Sequence, residues 1–428
     1  MVVAAHPLAA RAGYDILKRG GSAVDAAIAT QLVLNLVEPQ SSGIGGGGFL
    51  LHYAAREGKL SAYDGRETAP ARAKPGRFLG ANGRPLDWPA AVVGGKSVGV
   101  PGLLRLLELA HRRHGKLAWA ELFEPAIGLA EKGFPISPRL HALVAADRFL
   151  SQDRNARRYF YLPDGNAKPA GALLKNPEFA AVLKRVAAKG ADAFYRGGIA
   201  RDVVAAVRGH KSAGDLAEAD LSAYAAKQRE PLCGAYRRWK VCGMPPPSSG
   251  GFAVLQILKI LERFDLRNVK PESVEAVHLF AEAGRLAYAD RNLYIADPDF
   301  VAAPLAALLD SRYLDSRAKL IDQRHSMGRA RAGTPADVAA AYGISEPLEL
   351  PATTHISIVD AEGNAVAMTT SIEAAFGNRQ MVRGFLLNNQ LTDFSWTPEE
   401  GGKPVANRVE AKKRPRSSMA PTMVFDEK

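Results

Sequence analysis

Pro351-Ala-Thr-Thr-His-Ile-Ser-Ile-Val359 sets a threonine pair between a segment rich in glycine, alanine, proline and arginine and a run in which apolar and polar residues alternate. The alternation predicts a half-buried strand over 355–359. A second alternating run, Ala365–Ser371, follows the turn-forming Asp360-Ala-Glu-Gly-Asn364. The stretch therefore predicts a strand, a turn and a strand, with Thr353 at the head of the first. Upstream, residues 326–352 have the composition of a flexible linker. A cut between Ala352 and Thr353 would put a hydroxyl and an α-amine on one residue. The hydroxyl alone is a weak nucleophile, and an α-amine with a pKa of ~7.7–8.0 can take its proton at neutral pH. Cleavage at this junction would create the base together with the nucleophile.

Outward from this stretch, the 428-residue chain is 47% hydrophobic, enough to bury a large core. Length alone suggests two or three domains, or one large one. The net charge of +12 is uneven: from Thr353 onward nine Lys/Arg meet nine Asp/Glu, against 47 and 35 before it. The excess is scattered. The densest run, Lys412-Lys-Arg414 with Arg416, lacks interleaved aromatics and reads as a solvated loop, so no nucleic-acid partner is expected. No run approaches the roughly 18 apolar residues of a membrane span. Met1 leads directly into the patterned sequence without a basic-then-apolar leader. Location is not readable from these features: an exported protein and a cytoplasmic one both fit.

Helical periodicity covers 7–19, 22–37, 102–114, 118–132, 137–150, 177–188, 199–208, 252–263 and 273–292, with Ser22 and Asn176 as N-caps. Ser41-Ser-Gly-Ile-Gly-Gly-Gly-Gly48 contains G-x-G-x-x-G, but it follows a helix and opens the strand-like Phe49–Tyr53, the reverse of a dinucleotide site. Close backbone packing is the expected reason for its glycines. Gly234–Val241 reads as a hairpin turning at Arg237-Arg238, which sets Cys233 and Cys242 on facing, non-hydrogen-bonded positions. Two reduced, partly buried thiols are expected there, with a bond between them as the alternative. The nine histidines form no metal or triad set, so neither a metal nor another cofactor is expected.

Thr353–Met368, Phe376-Gly377 and Leu386–Phe394 resemble the small-subunit start of the γ-glutamyltranspeptidases, members of the self-processing N-terminal-nucleophile hydrolases. The resemblance recurs in family order at His6-Pro-Leu-Ala, Gly20–Ala27, Glu38–Phe49, Gly65-Arg-Glu-Thr-Ala-Pro70, Val100-Pro-Gly102, Pro245–Gly251 and Ser417-Ser-Met-Ala-Pro421. It implies an α+β fold, the four-layer αββα sandwich, with a helical middle region. It also implies one folded domain in two parts: a large-subunit region, 1–352, ending in the linker, and the start of a small-subunit region, 353–428. The two would remain together after self-cleavage as a heterodimer. Relatives are often exported. The family pattern continues past Ser-Ser-Met-Ala-Pro into further strands and a Gly-Gly pair that forms the oxyanion hole, so a C-terminal part is expected beyond Lys428.

By the same resemblance Thr353 is the nucleophile of self-cleavage, at Ala352-Thr353, and of acyl transfer from glutathione or another γ-glutamyl compound. Ser371 stands where relatives have a threonine that hydrogen-bonds it. Arg66 matches the arginine that grips the donor carboxylate, a task suited to its planar fork. Ser417 and Ser418 match the hydroxyls beside that carboxylate, and Asp393 with Gln390 matches the group that holds the donor ammonium. Glu373 replaces an asparagine common in relatives, which implies an altered ammonium seat and an altered balance of transfer and hydrolysis. Two other readings share much of this sequence: an acylase acting on β-lactam side chains or poly-γ-glutamate with the same nucleophile, and a non-catalytic relative.

Overall fold

The computed structural model describes residues 1–336, 338, 341–345 and 352–426. A six-stranded antiparallel sheet lies at its centre, in the order Val2–Val3, Thr353–Val359, Ala365–Ser371, Gly47–Ala54, Lys59–Gly65, Lys227–Arg229. The hairpin that the alternation predicts is its middle, with Val359 opposite Ala365 and Thr353 opposite Ser371.

Because successive strand residues face opposite sides, the sheet serves two cores. Leu50, Tyr63, Ile356 and Met368 pack with the helix Ala23–Val37, whereas Phe49, Leu51, Ala62 and Ala367 pack with Met244, Met419 and Met423. The second sheet comprises Leu232–Tyr236, Trp239–Gly243 and Thr422–Phe425, and the helices Gly250–Leu261 and Val274–Tyr294 form the layer beyond it. The order helix, sheet, sheet, helix is the αββα sandwich expected from the sequence. Helix Ala23–Val37 is buried at every position. Each fully buried Leu, Ile or Val contributes about 1.5–3 kcal/mol, so this helix is held by its surroundings more than by intrinsic propensity. Ser22 caps it in a reciprocal box with Asp25.

Several expectations need correction. The 118–132 helix divides into a tight turn, Trp119–Phe123, and a helix, Glu124–Lys132, with Pro125 in the first turn, where its missing N–H costs nothing. The 137–150 helix ends at Ala146, since the Asp147 carboxylate accepts from Phe149 N and Leu150 N and turns the chain. The strand Lys59–Gly65 and the helices Arg154–Phe160 and Ser311–Ala318 add to the elements read from periodicity. The linker is not loose at its start: Ser326 and Met327 donate to Glu282, and Gly333 N donates to Asp290, which ties this part to the helix Val274–Tyr294. Within it, residues 337, 339, 340 and 346–351 lie outside the described residues.

The two cysteines, expected as thiols, are bonded. Cys233 faces Cys242 across the hairpin with Cα atoms 4.0 Å apart, the close spacing of a non-hydrogen-bonded pair. Thiol titration of the denatured, unreduced protein should therefore find no free thiol, and two free thiols would refute the pairing. Among the described residues no helix is long and apolar enough to cross a membrane.

Candidate active site

The hairpin register places two hydroxyls side by side at one end of the central sheet. Thr353 Oγ1 donates to Ser371 Oγ at 3.3 Å, and Ser371 Oγ donates to the Ala352 carbonyl at 3.0 Å. Glu373 N donates to the same Ser371 oxygen at 2.8 Å. One hydroxyl supplies one proton and two acceptor sites, and all three are used here. The Ser371 proton lies on the carbonyl of the Ala352-Thr353 bond while its lone pairs hold Thr353. This geometry suits polarisation of that carbonyl beside a hydroxyl poised to attack it.

The glycines of 45–48 let a neighbouring loop close on this end. A Cβ on Gly46 would lie 2.1 Å from the Ser371 carbonyl oxygen, and one on Gly47 would lie 2.4 Å from the Gly65 carbonyl oxygen. Close backbone packing is therefore the work of this motif, as its position after a helix implies. Asn35 Oδ1 accepts from Ile44 N at 2.6 Å, and Asn388 Nδ2 donates to Gly45 O at 2.7 Å, fixing the loop from both sides.

A cavity of about 400 Å³ opens beside Thr353. Seven of the nine site residues read from the sequence line it: Thr353, Ser371, Glu373, Gln390, Asp393, Ser417 and Ser418. Ala352 is held through its carbonyl, as above. Arg66 differs from expectation. Its side chain is wholly buried and stands behind Asp393, outside the cavity lining. Nε donates to Pro415 O at 3.0 Å, and Nη2 donates to Arg416 O at 2.9 Å and to the Asp393 carboxylate. A guanidinium shut away from water needs a counter-charge, and Asp393 supplies it. Nη1 has no hydrogen-bond partner and lies 3.6 Å from Glu67 Oε2.

Glu67, next to Arg66, was not singled out from the sequence. It is fully buried, and neither carboxylate oxygen has a hydrogen-bond partner. Burial pushes its pKa up to about 8 against the opposing pull of Arg66. Glu373 is pushed up to about 8 as well, by burial first and by the Asp393 charge second, while the Asn389 amide bonded to its carboxylate pulls the other way. Its backbone is left-handed, with φ of 76°, a conformation that asparagine tolerates better than glutamate. The charge at this end of the cavity is therefore protonation-dependent.

The opposite wall hangs on the second sheet. Ser249 N donates to Ser417 O at 2.7 Å, and Ser248 Oγ donates to Met419 O at 2.5 Å. Arg291, on the helix Val274–Tyr294, donates to Ser418 Oγ at 2.7 Å and to Ser249 Oγ at 2.9 Å. Nothing in the helical pattern distinguished this arginine. Thr369 also lines the cavity and bonds His355 Nδ1 at 2.7 Å; His355 lies in the family motif and Thr369 just past its quoted end, and the alternation of their strands was the available signal.

Comparison with known proteins agrees with this geometry. The chain is 41% identical over 433 residues to the glutathione hydrolase proenzyme of Bacillus subtilis (strain 168), covering 99% of this chain and 72% of that protein. It superposes on the crystal structure of cephalosporin acylase from Bacillus halodurans with a TM-score of 0.84 at 29% identity, covering 100% of this chain and 75% of that one. The Helicobacter pylori gamma-glutamyltranspeptidase structure gives a TM-score of 0.72 at 34% identity, with 76% and 93% covered. The gamma-glutamyltranspeptidase family model matches residues 9–428, and a chain that aligns over that span, with a threonine and a serine hydroxyl paired at the head of its central hairpin, belongs to the gamma-glutamyltranspeptidase family of enzymes.

Proposed function

We propose that the protein cleaves itself between Ala352 and Thr353 and then hydrolyses or transfers the γ-glutamyl group of glutathione or related amides. The observation that carries this reading is the relay Thr353 Oγ1, Ser371 Oγ, Ala352 O. In self-cleavage Thr353 Oγ1 attacks the Ala352 carbonyl carbon, the C–N bond breaks, and the freed nitrogen takes the proton. Water then hydrolyses the resulting ester, leaving a carboxylate on Ala352 and an α-amine on Thr353. Residues 1–352 and those from Thr353 onward stay associated as two chains of one domain, since strand 353–359 is hydrogen-bonded inside the sheet.

The freed amine next acts as base for the same hydroxyl. Attack on the donor γ-carbonyl forms a γ-glutamyl ester on Thr353 and expels the amine product. Water or an acceptor amine then releases the acyl group. Ser371 Oγ accepts from Thr353 Oγ1 before attack, and once that oxygen is esterified Ser371 can only donate to it. Ser417 and Ser418 meet the donor α-carboxylate, and Asp393, held from behind by Arg66, meets the α-ammonium with Gln390 and Glu373. The acylase reading is favoured by the likeness to the cephalosporin acylase. The two carboxylates in the cavity favour an ammonium-bearing donor over one without it.

The test combines a denaturing gel, N-terminal sequencing of the smaller band and an assay of glutathione cleavage. Two bands, a small fragment beginning at Thr353 and release of glutamate are expected. A different start or no release of glutamate would refute the reading.

A further inference from the structure

A second cavity, of about 580 Å³, lies at the other end of the central sheet from Thr353. The strand Gly47–Ala54 runs between the two: Gly47 stands opposite Ser371, and Ala54, roughly 20 Å further along, lines the second cavity. The cavities also open on opposite faces of the sheet. Tyr63, which lines the second, shares its face with Leu50 and Met368, whereas Thr369, which lines the first, stands opposite Phe49.

The floor of the second cavity is buried and uncharged. It is made by Ser61, Tyr63, Leu109 and His114. Ser61 and Tyr63 are almost wholly shut from solvent. Tyr63 Oη and His114 Nε2 are hydrogen-bonded at 2.6 Å, and His114 stacks on the buried His52 with ring centroids 3.8 Å apart. Burial lowers the pKa of both histidines, that of His52 to about 4, so neither adds charge at neutral pH.

The rim is cationic. Lys59, Arg112 and Arg113 line it against a single acid, Glu57. Glu108 answers Arg112 at 3.2 Å, but neither Lys59 nor Arg113 has an ion-pair partner among the described residues. The last turn of the helix Leu103–His114 draws basic side chains to its carbonyls, which accounts for Arg112 and Arg113. It does not account for Lys59, which the left-handed turn at Gly58 brings to the same opening from the sheet. Like charges gathered around one concavity with low-dielectric walls focus a field that favours an anion.

We propose that this cavity binds a small organic anion. A phosphate or carboxylate is held by Lys59, Arg112 and Arg113, and a flat or apolar body is seated against Tyr63, His114 and Leu109. Gln228, from the edge strand Lys227–Arg229, is the neutral hydrogen-bonding group of the wall. Ligand cavities run from about 300 to 1,000 Å³ and combine an apolar surface with a few convergent polar groups, which is the composition here. An anion without a body leaves the floor uncovered, and a body without an anion leaves the cations unanswered. The site is independent of the donor reading, because none of its residues lines the cavity at Thr353.

The test is isothermal titration calorimetry of the full chain with minimal probes. Phenyl phosphate or benzoate should bind at a single site with a Kd of about 1 mM or tighter. Inorganic phosphate, which lacks the body, and phenol, which lacks the charge, should each bind about tenfold more weakly or worse. Replacing Lys59→Gln and Arg113→Gln together should weaken the probe by about tenfold or more while the melting temperature stays unchanged, since both side chains are exposed. Lys59→Arg, which keeps the charge, should retain binding. Failure of both phenyl phosphate and benzoate to bind would overturn the proposal. So would binding that the paired substitution leaves intact, which would place the anion elsewhere, or inorganic phosphate binding as tightly as phenyl phosphate, which would leave the floor no role.

Discussion

Thr353→Ala should run as a single uncleaved chain on a denaturing gel and turn over no γ-glutamyl donor, because one substitution removes the attacking oxygen of both reactions. Losing a catalytic nucleophile removes most of the rate enhancement, on the order of 10⁶-fold for a well-studied Ser nucleophile, so the expected residual activity is at background. The fold should survive: Thr353 is exposed and its side chain makes a single hydrogen bond, to Ser371. Thr353→Ser should still cleave and keep some turnover, since a primary hydroxyl can attack and can still reach Ser371. It will do so with a less fixed rotamer, having lost the methyl group that restricts χ1. Normal cleavage in the alanine variant would refute the assignment.

Arg66→Lys should lower kcat/KM for the donor by about 100-fold, equivalent to losing two charge-assisted hydrogen bonds of ~1.5 kcal/mol each. Lysine keeps the charge. It cannot span Pro415 O, Arg416 O and the Asp393 carboxylate as the guanidinium fork does. Asp393 then loses its orientation toward the cavity, and donor binding weakens with it. Self-cleavage should continue, because the relay of Thr353, Ser371 and Ala352 contains no Arg66 contact. Steady-state kinetics beside a cleavage gel check both parts. Unchanged donor kinetics would remove Arg66 from donor binding, and loss of cleavage would show that its packing supports the relay.

The pairing of Thr353 with Ser371, expected from the family resemblance alone, has a local physical basis in the structure. Once a hairpin closes at Val359 and Ala365, strand periodicity alone carries the register back to Thr353 opposite Ser371. The helical layers were legible for a similar reason: amphipathic periodicity and caps such as Ser22 lie within a few residues of what they govern. Where those signals are interrupted, boundaries were misread, as at Pro125 and Asp147. Strand Lys59–Gly65 escaped because it is almost wholly buried; with both faces covered, it has no polar alternation to show.

By itself the sequence determined the central hairpin and most of the helices, since these are written in a period, a turn or a cap, while the layer architecture, the candidate nucleophile Thr353 and most of the cavity-wall residues came from the family resemblance of its motifs. Only the tertiary structure decided how the charges are arranged. It alone shows that Arg66 is shut behind Asp393, that Glu67 lies buried without a hydrogen bond, and that Arg291 reaches Ser418 from a distant helix. It also decided that Cys233 and Cys242 are joined and that the start of the linker is docked on Glu282 and Asp290. The reason is physical: the protonation and direction of a charged group depend on how much water is excluded around it and which opposite charge is nearest. Both are set by chain segments hundreds of residues apart, which no local pattern records.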